Sequence, residues 1–599
     1  MPDTERRSPP SPAGSAPRAT SIATIERPTV SASERPSRVV VELVAPVVDG
    51  GRFAAKGSVG EHRPVVADVF GDGHDPVVAR LDVLAPGSGE WRQYPLTPSG
   101  NDRWTGGFVP DRIGRWWFRV AGAMAGPDST DRGASSEVLA VDVDPARARY
   151  SSWYEVFPRS VGHGTLTDVI AHLPYVASMG FDVLYLPPVH PIGRSYRKGP
   201  NNTADPGPDD PGSPWAIGNG AGGHTAVDPA LGTVADVARL ATAAAEHGIA
   251  VALDLAFQCS PDHPWVTEHP EFFRRRADGS IRYAENPPKK YQDIYPLDFE
   301  SAAWRDLWAA LLDVVQFWVG RGVRVFRVDN PHTKPFAFWE WLISEVRSSA
   351  PDVVFLAEAF TKPRVMERLA KCGFNQSYTY FTWKQTADEL REYFTDLSTR
   401  TVDFLRPNAW PNTPDILTEQ LQRGGRPVFA LRAVLAATLS ANWGVYGPAF
   451  ELMEHTPRSP GTEEYVASEK YERRYWNLTG PDSLAPLLGR LNRIRADHPS
   501  LQQDRTLRFH HSDNPNLLVY SKHDPDGGDA VLVIVNLDPD QAQHGWIDVD
   551  LAAVGLPYES SFHLHDELSG DAYWWTGAWS WVRLDPDHSP AHIFSVRCS

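Results

Sequence analysis

Arg321 to Phe336 reads RGVRVFRVDNPHTKPF. Its first part, VRVFRV, is a short apolar run with basic residues at alternate positions, which is how a barrel strand reads. The run ends in Asp329-Asn330 and is broken by Pro331. (β/α)8 barrels place their chemistry at the C-terminal ends of parallel strands, and Asp329 falls at such an end. Arg327 lies two residues earlier, so both side chains share one side of the strand. A neighbouring guanidinium favours the ionised carboxylate, and an ionised, oriented Asp suits nucleophilic work. A plain structural Arg–Asp pair would look the same in this stretch alone.

Outward from it, strand and helix patterns alternate from about Tyr150. Strand candidates are WYEVFP (153–158), FDVLYLPPV (181–189), IAVALDLAF (249–257), VRVFRVDN (323–330), VVFLAEAF (353–360), FNQSYTYF (374–381), VDFLRPN (402–408) and ANWGVYG (441–447). Helical patterns such as TVADVARLATAAAEHG and AAWRDLWAALLDVVQFWVGRG lie between them. The expected fold is an α/β chain with a (β/α)8 TIM barrel over 147–499 and long βα loops. Two loops are unusually long, 190–232 and 258–300, and the second reads as an inserted subdomain.

The flanks differ. Residues 1–37 are rich in Pro, Ser, Thr and Arg and read as a disordered tail. Short β-rich runs over 38–146, among them HRPVVADVF and RWWFRVAG, predict an N-terminal antiparallel β-sandwich. Runs such as NLLVYSK, AVLVIVNL and WSWVRL predict a second sandwich over 500–599.

A net charge of −17, spread along 599 residues, argues against nucleic acid and anionic membranes as partners. It does not argue against a neutral sugar. The 21 Trp, 19 Tyr and 25 Phe supply flat faces for sugar rings as well as core. Three cysteines without metal-ligand spacing fit a reducing compartment. With no long apolar run and no apolar leader, the expected location is cytoplasmic.

Three carboxylates fall on one face of the expected barrel. Asp329 ends the fourth strand, Glu358 ends the fifth in FLAEAF, and Asp415 follows the seventh in WPNTPDIL. Strands about 4.8 Å apart let two such groups reach the roughly 5–5.5 Å separation of a retaining glycosidase pair. Apolar neighbours of Glu358 would raise its pKa and suit it to an acid's role. Taken alone, Asp415 reads as a helix N-cap.

These residues carry a resemblance to the α-amylase family over roughly 150–599. ALDLAF with Asp254 is similar to that family's third-strand motif, VRVFRVDN to its fourth, FLAEAF to its fifth and NTPDIL to its seventh. The resemblance implies Asp329 as nucleophile with Arg327 supporting it, Glu358 as acid/base, and Asp415 as transition-state stabiliser. Common amylases have Asn-His after the third strand, where this chain has Phe257-Gln258, and His where it has Pro414. Calcium is therefore not implied, and no metal or cofactor is expected.

Longer strings narrow the match. WYEVFPRS, RVDNPHTKPFAFWEWLI, YGPAFELMEHTPRSPG and SEKYERRYWN resemble the maltosyltransferases that elongate α-1,4-glucan from α-maltose 1-phosphate. The stretch AENPPKKYQDIYPLDF fits a phosphorylated donor, since lysine can hold a phosphate dianion by charge-assisted hydrogen bonds. The resemblance implies that Asn286, Lys289 and Tyr291 bind that phosphate. It also implies that Lys198, Gln258, Asp293, Asn330, Lys470 and Tyr471 contact the maltosyl unit or line its site. The expected partners are α-maltose 1-phosphate as donor and an α-1,4-glucan as acceptor. The rivals are an α-glucan hydrolase or trehalose-forming isomerase of the same fold, and a non-catalytic glucan-binding protein. Such maltosyltransferases usually carry a helical insertion before the barrel that takes part in dimerisation. GAMAGPDSTDRGASSEVLAVDVDPARARY has no room for it, so a homodimer, if formed, lacks the usual insert.

Overall fold

The computed structural model describes residues 36–125, 133–286, 289–558 and 560–598. The tail expected over 1–37 lies outside them except for its last two residues. Eight parallel strands close into a barrel. They are β1 (Ser151–Glu155), β2 (Val183–Leu186), β3 (Ala250–Leu255), β4 (Val325–Asp329), β5 (Val354–Glu358), β6 (Gln376–Tyr378), β7 (Pro407–Ala409) and β8 (Asn442–Tyr446). β8 pairs back onto β1, which closes the ring.

Six strands lie inside the runs that the apolar pattern picks out, and β1 starts two residues before its run, at Ser151. The seventh is displaced: 402–404 form a turn and the strand starts only at Pro407. The reason is Asp403, whose carboxylate accepts from Arg63 at 3.0 Å and from Arg505 at 2.7 Å. Those two bonds hold the apolar residues Phe404 and Leu405 in the core from a turn rather than from a strand.

Alternation along the strands fills the barrel. Trp153, Val183, Tyr185, Ala252, Val325, Val354, Leu356, Tyr378 and Trp410 form one buried cluster. Gly444 on β8 makes room for the indoles, because a Cβ there would lie 2.4 Å from Trp410 Cζ2. One step further along the strands the inward residues become ionisable: Glu155, Asp254, Arg327, Asp329 and Glu358. The barrel thus has an apolar floor and a charged mouth. Helices outside it begin in capping boxes, Thr165 with Asp168 and Thr233 with Asp236.

Before the barrel, a four-stranded and a six-stranded sheet contain every expected β run from Val39–Ala45 to Leu139–Asp144. After it come a six-stranded and a three-stranded antiparallel sheet. Ala572–Thr576 (AYWWT) adds a strand that its mixed pattern hid. One continuous hydrophobic cluster runs from Val39 through the barrel to Ile593. Between the N-terminal sheets and β1 the described residues hold a single four-residue helix, Ala146–Arg149, and no bundle. No helix among the described residues is long and apolar enough to cross a membrane.

The excursion after β3 is tied to the barrel mouth by its own pairing. Gln258 and Cys259 pair with Pro296 and Tyr295. A hairpin, Ala284–Asn286 with Lys289–Tyr291, projects from it.

Candidate active site

β4 and β5 run in parallel with Asp329 directly opposite Glu358. Period-2 alternation turns Arg327 and Asp329 inward together. Arg327 Nη1 donates to Asp329 Oδ1 at 2.8 Å and to Asp254 Oδ2 on β3 at 2.9 Å. Its Nη2 lies 3.6 Å from Glu358 Oε1. One buried guanidinium therefore serves carboxylates from three successive strands. Tyr185 on β2 donates its hydroxyl to Asp254 Oδ2 at 2.6 Å. Just past β4, Asn330 takes a left-handed conformation, φ 43° and ψ 53°, which Asn tolerates better than most residues. That turn aims its backbone N–H at Glu358 Oε2, 3.0 Å away, while its side-chain amide donates to Asp329 Oδ2 at 3.3 Å. Lys334 Nζ donates to the carbonyls of Asp329 and Asn330 at 3.4 and 3.2 Å, which fixes the same turn from behind.

Three carboxyls around one cation cannot all ionise cheaply. Burial pushes Glu358 up to about 7; the charge of Asp329 adds to this, while Arg327 and the Asn330 N–H oppose it. Burial also pushes Asp254 up to about 7. Asp254, however, accepts two short bonds, whereas Glu358 stands further from the guanidinium. Burial thus raises both carboxyls together, and Glu358 is the one that stands at the open end of the pair beside Asp329. A fourth carboxyl, Glu155 at the end of β1, is 1% exposed, and burial pushes it well above its usual value.

Asp415 lies in the loop after β7 and is half exposed. It is not an N-cap: the next helix, Glu419–Gln422, is capped by Thr418. Its carboxylate is ion-paired with Lys470. Burial alone would lower the pKa of Lys470, but Asp415 outweighs it and the ammonium is held above its ordinary value. That ammonium stands 5.4 Å over the Trp215 ring and 5.7 Å over the Tyr471 ring. Gln258 donates to the Trp215 carbonyl at 3.2 Å. Asp293 is 3% exposed, its Oδ1 has no hydrogen-bond partner, and burial raises its pKa against the pull of Lys198 and Lys470. Pro414, Asp415, Tyr465, Lys470 and Tyr471 line a small crevice of about 10 Å³ here.

The fold thus gathers Arg327, Asp329, Asn330 and Glu358 into one cluster. It gathers Asp415, Lys470, Tyr471, Asp293 and Lys198 into a second, with Gln258 beside them through Trp215. Asp415 links the two, since its charge is felt at Glu358. Of the expected phosphate ligands, Asn286 and Lys289 face each other across the hairpin; their side chains lie outside the described residues. Tyr291 is partly exposed on the same hairpin. Sequence reading passed over Tyr185, Trp215, Lys334 and Glu155. An acid inside a fully buried strand was the available signal for Glu155. Trp215 sits in a long loop without periodicity and offered none.

One group of metal-ligating type exists among the described residues: His224, Cys259 and His263, all buried. Its hydrogen bonds assign the ring protons. The Trp265 N–H donates to His263 Nδ1 at 3.0 Å, so His263 carries its proton on Nε2, facing His224 Nδ1 at 3.1 Å. His224 Nε2 then donates to the Ala256 carbonyl at 3.1 Å. All four nitrogens are engaged, and burial keeps His263 neutral by lowering its pKa to about 3. The chain of bonds braces the third loop rather than offering ligands.

An acid pair on adjacent strand ends of a (β/α)8 barrel, backed by a shared arginine, defines an α-amylase-type carbohydrate-active enzyme. Residues 127–310 match the α-amylase catalytic domain, 37–126 the N/S domain of alpha-1,4-glucan:maltose-1-phosphate maltosyltransferase, and 509–596 the GLGE C-terminal domain. The maltosyltransferase of that name from Chlorobaculum tepidum is 44% identical over 93% of this chain and 96% of its own length. The second such enzyme of Streptomyces coelicolor is 44% identical over 95% and 97%. The chain belongs to the alpha-1,4-glucan:maltose-1-phosphate maltosyltransferase family. Alignment with the Chlorobaculum relative spans 646 positions, more than the 599 residues here, so that relative carries stretches this chain lacks. Among solved structures, a maltogenic α-amylase from Thermotoga neapolitana aligns with a TM-score of 0.60 at 17% identity, covering 76% of this chain and all of its own. A cyclomaltodextrinase gives 0.60 at 14% identity, covering 91% and 98%.

Proposed function

We propose that this chain moves a maltosyl unit from α-maltose 1-phosphate to the non-reducing end of an α-1,4-glucan and releases phosphate. The observation that carries the mechanism is Asp329 and Glu358 facing each other on paired strand ends, one bonded to Arg327 and the other with its pKa raised by burial. Asp329 attacks the anomeric carbon, and the bond from that carbon to the phosphate oxygen breaks. Phosphate leaves with the electron pair and takes a proton from Glu358. The product is a β-maltosyl ester on Asp329. Glu358, now ionised, accepts the proton of the acceptor 4-hydroxyl as that oxygen displaces Asp329. Two inversions give net retention and a new α-1,4 bond.

Asp415 and Lys470 would fix sugar hydroxyls, with Tyr471, Asp293, Lys198 and Gln258 around the maltosyl unit. Asn286, Lys289 and Tyr291 would receive the phosphate from the hairpin. Transfer must outrun hydrolysis, so water has to be kept from the intermediate. Two buried free thiols, Cys259 and Cys372, suit the reducing cytoplasm assigned to this reading.

Purified protein with α-maltose 1-phosphate and maltohexaose tests it. Phosphate release matched by products longer by two glucoses is expected. Phosphate without elongation, or no phosphate, removes the proposal in favour of a hydrolase or an isomerase. Asp329→Ala should abolish phosphate release; full turnover by that variant would remove the mechanism.

A further inference from the structure

Glu155 takes no step in the cycle described above. It is the last residue of β1, in register beside Tyr185 on β2 and Tyr446 on β8. Alternation from Trp153 turns it into the barrel, in the layer of Asp254 and Arg327. Its Oε2 is buried and has no hydrogen-bond partner. Titratable groups face it from almost every side. Tyr185 comes from β2, Asp254 from β3, Arg327 from β4 and Tyr378 from β6. Asp415 comes from the loop after β7, Tyr446 from β8, and Tyr465 and Glu469 from the segment beyond. Of these groups Arg327 alone is cationic. The two tyrosines in register do not help Glu155, because their hydroxyls are given to Asp254 and Glu469.

A carboxylate in that place would be a buried anion without a donor, and such a group neutralises instead. Burial accordingly pushes Glu155 toward its protonated form; Asp254, Asp415 and Glu469 add to this, and Arg327 opposes it. Arg327 is already committed, since its Nη1 serves both Asp254 and Asp329. Its Nε is buried without a partner. An anion at Glu155 would draw that donor, and turning the guanidinium toward it takes Nη1 off the nucleophile. We propose that Glu155 is a positioning residue for Asp329: as a neutral acid it leaves Arg327 to the nucleophile, and as an anion it competes with Asp329 for that guanidinium. It acts through Arg327 and touches no substrate. When it ionises, its proton passes to solvent. The inference rests on the proposed function for its kinetic readout alone.

The test uses the full-length chain with Glu155→Gln and Glu155→Met, both uncharged and close to glutamate in size. Below neutrality both variants should keep the parent's kcat/KM for α-maltose 1-phosphate, because what matters is the absence of charge. At alkaline pH the parent must hold two protons, on Glu155 and on Glu358. Its kcat/KM should then fall with the square of hydroxide concentration, and that of either variant with the first power. Glu358→Gln should likewise leave a first-power fall, and Glu155→Gln/Glu358→Gln none. A merely structural Glu155 would change stability and leave the order of the fall as it was. Infrared spectra read the proton directly: at neutral pH the carbonyl stretch of protonated carboxyls should be weaker in Glu155→Gln than in the parent. An unaltered band overturns the inference. The same alkaline order in parent and variants overturns it as well, as does loss of activity in both variants while they remain folded. Absence of phosphate release from the parent would instead defeat the proposed activity, while the infrared comparison still decides whether Glu155 is a neutral acid.

Discussion

Arg327 is one cation among carboxylates on three strands, and its loss would be felt in both folding and chemistry. Removing one partner of a buried ion pair costs about 3–5 kcal/mol. Arg327→Ala should therefore lower the urea unfolding free energy by that much and abolish turnover. Arg327→Lys keeps the charge but cannot reach several carboxylates from one planar fork, so it should keep more stability than activity. Glu358 makes a pH prediction. Its pKa is raised to about 7, so it holds its proton below that value and loses it above. As an acid it is competent on the low side, and kcat/KM for the donor should fall as pH rises through about 7. Glu358→Gln should remove that limb from the pH profile and cut the rate by about 10²–10⁴. The chemistry of Arg327, Asp329 and Glu358 was readable because strand alternation fixes which residues share a side. Glu155 and Tyr185 obey the same rule on β1 and β2, yet lie far from the cluster in sequence, and only barrel closure brings them to it.

At the scale of elements, the β4–β5 register and the turn after β4 set the acid pair. Asn330 occupies a left-handed conformation that costs a β-branched residue about 1–2 kcal/mol or more. Asn330→Val should destabilise the chain by that amount. It should also swing the backbone N–H off Glu358, and the alkaline limb of the profile then moves to higher pH, because that bond favours the ionised carboxylate. A titration of kcat/KM on the folded variant checks the direction. Seven of the eight strands were legible because each is a compact run between a helix and a loop. The seventh slipped because VDFLRPN has the composition of a strand, while Asp403 is committed to arginines outside the barrel. The loops were legible as long, but not in shape: nothing in their composition tells which residues turn back over the mouth, and Trp215 was missed for that reason.

At the scale of the molecule, one carboxylate joins three parts. Asp403 of the barrel takes Arg63 from the N-terminal sandwich and Arg505 from the segment leading to the C-terminal one. Against the cost of burial, these two guanidinia hold its pKa below the ordinary 3.8. The sign follows: their stabilisation is complete above that value and drains away as pH falls through the lower folded one. Calorimetry at pH 7 should show Asp403→Asn melting earlier, by about 3 kcal/mol at the low end for a buried pair. The gap between variant and parent should close in acid. Nearby, Asp144 takes Arg347 and Arg406, and Lys56 reaches the carbonyl of Ala370 at 2.8 Å, so the N-terminal sheets are bolted to the barrel at several points.

That clasp limits how the chain can be recombined. A chimaera that replaces either flanking module with a foreign counterpart leaves Asp403 with half its ligands, however cleanly the join is made. Such a transplant will tolerate the exchange only if it brings an arginine to the same spot.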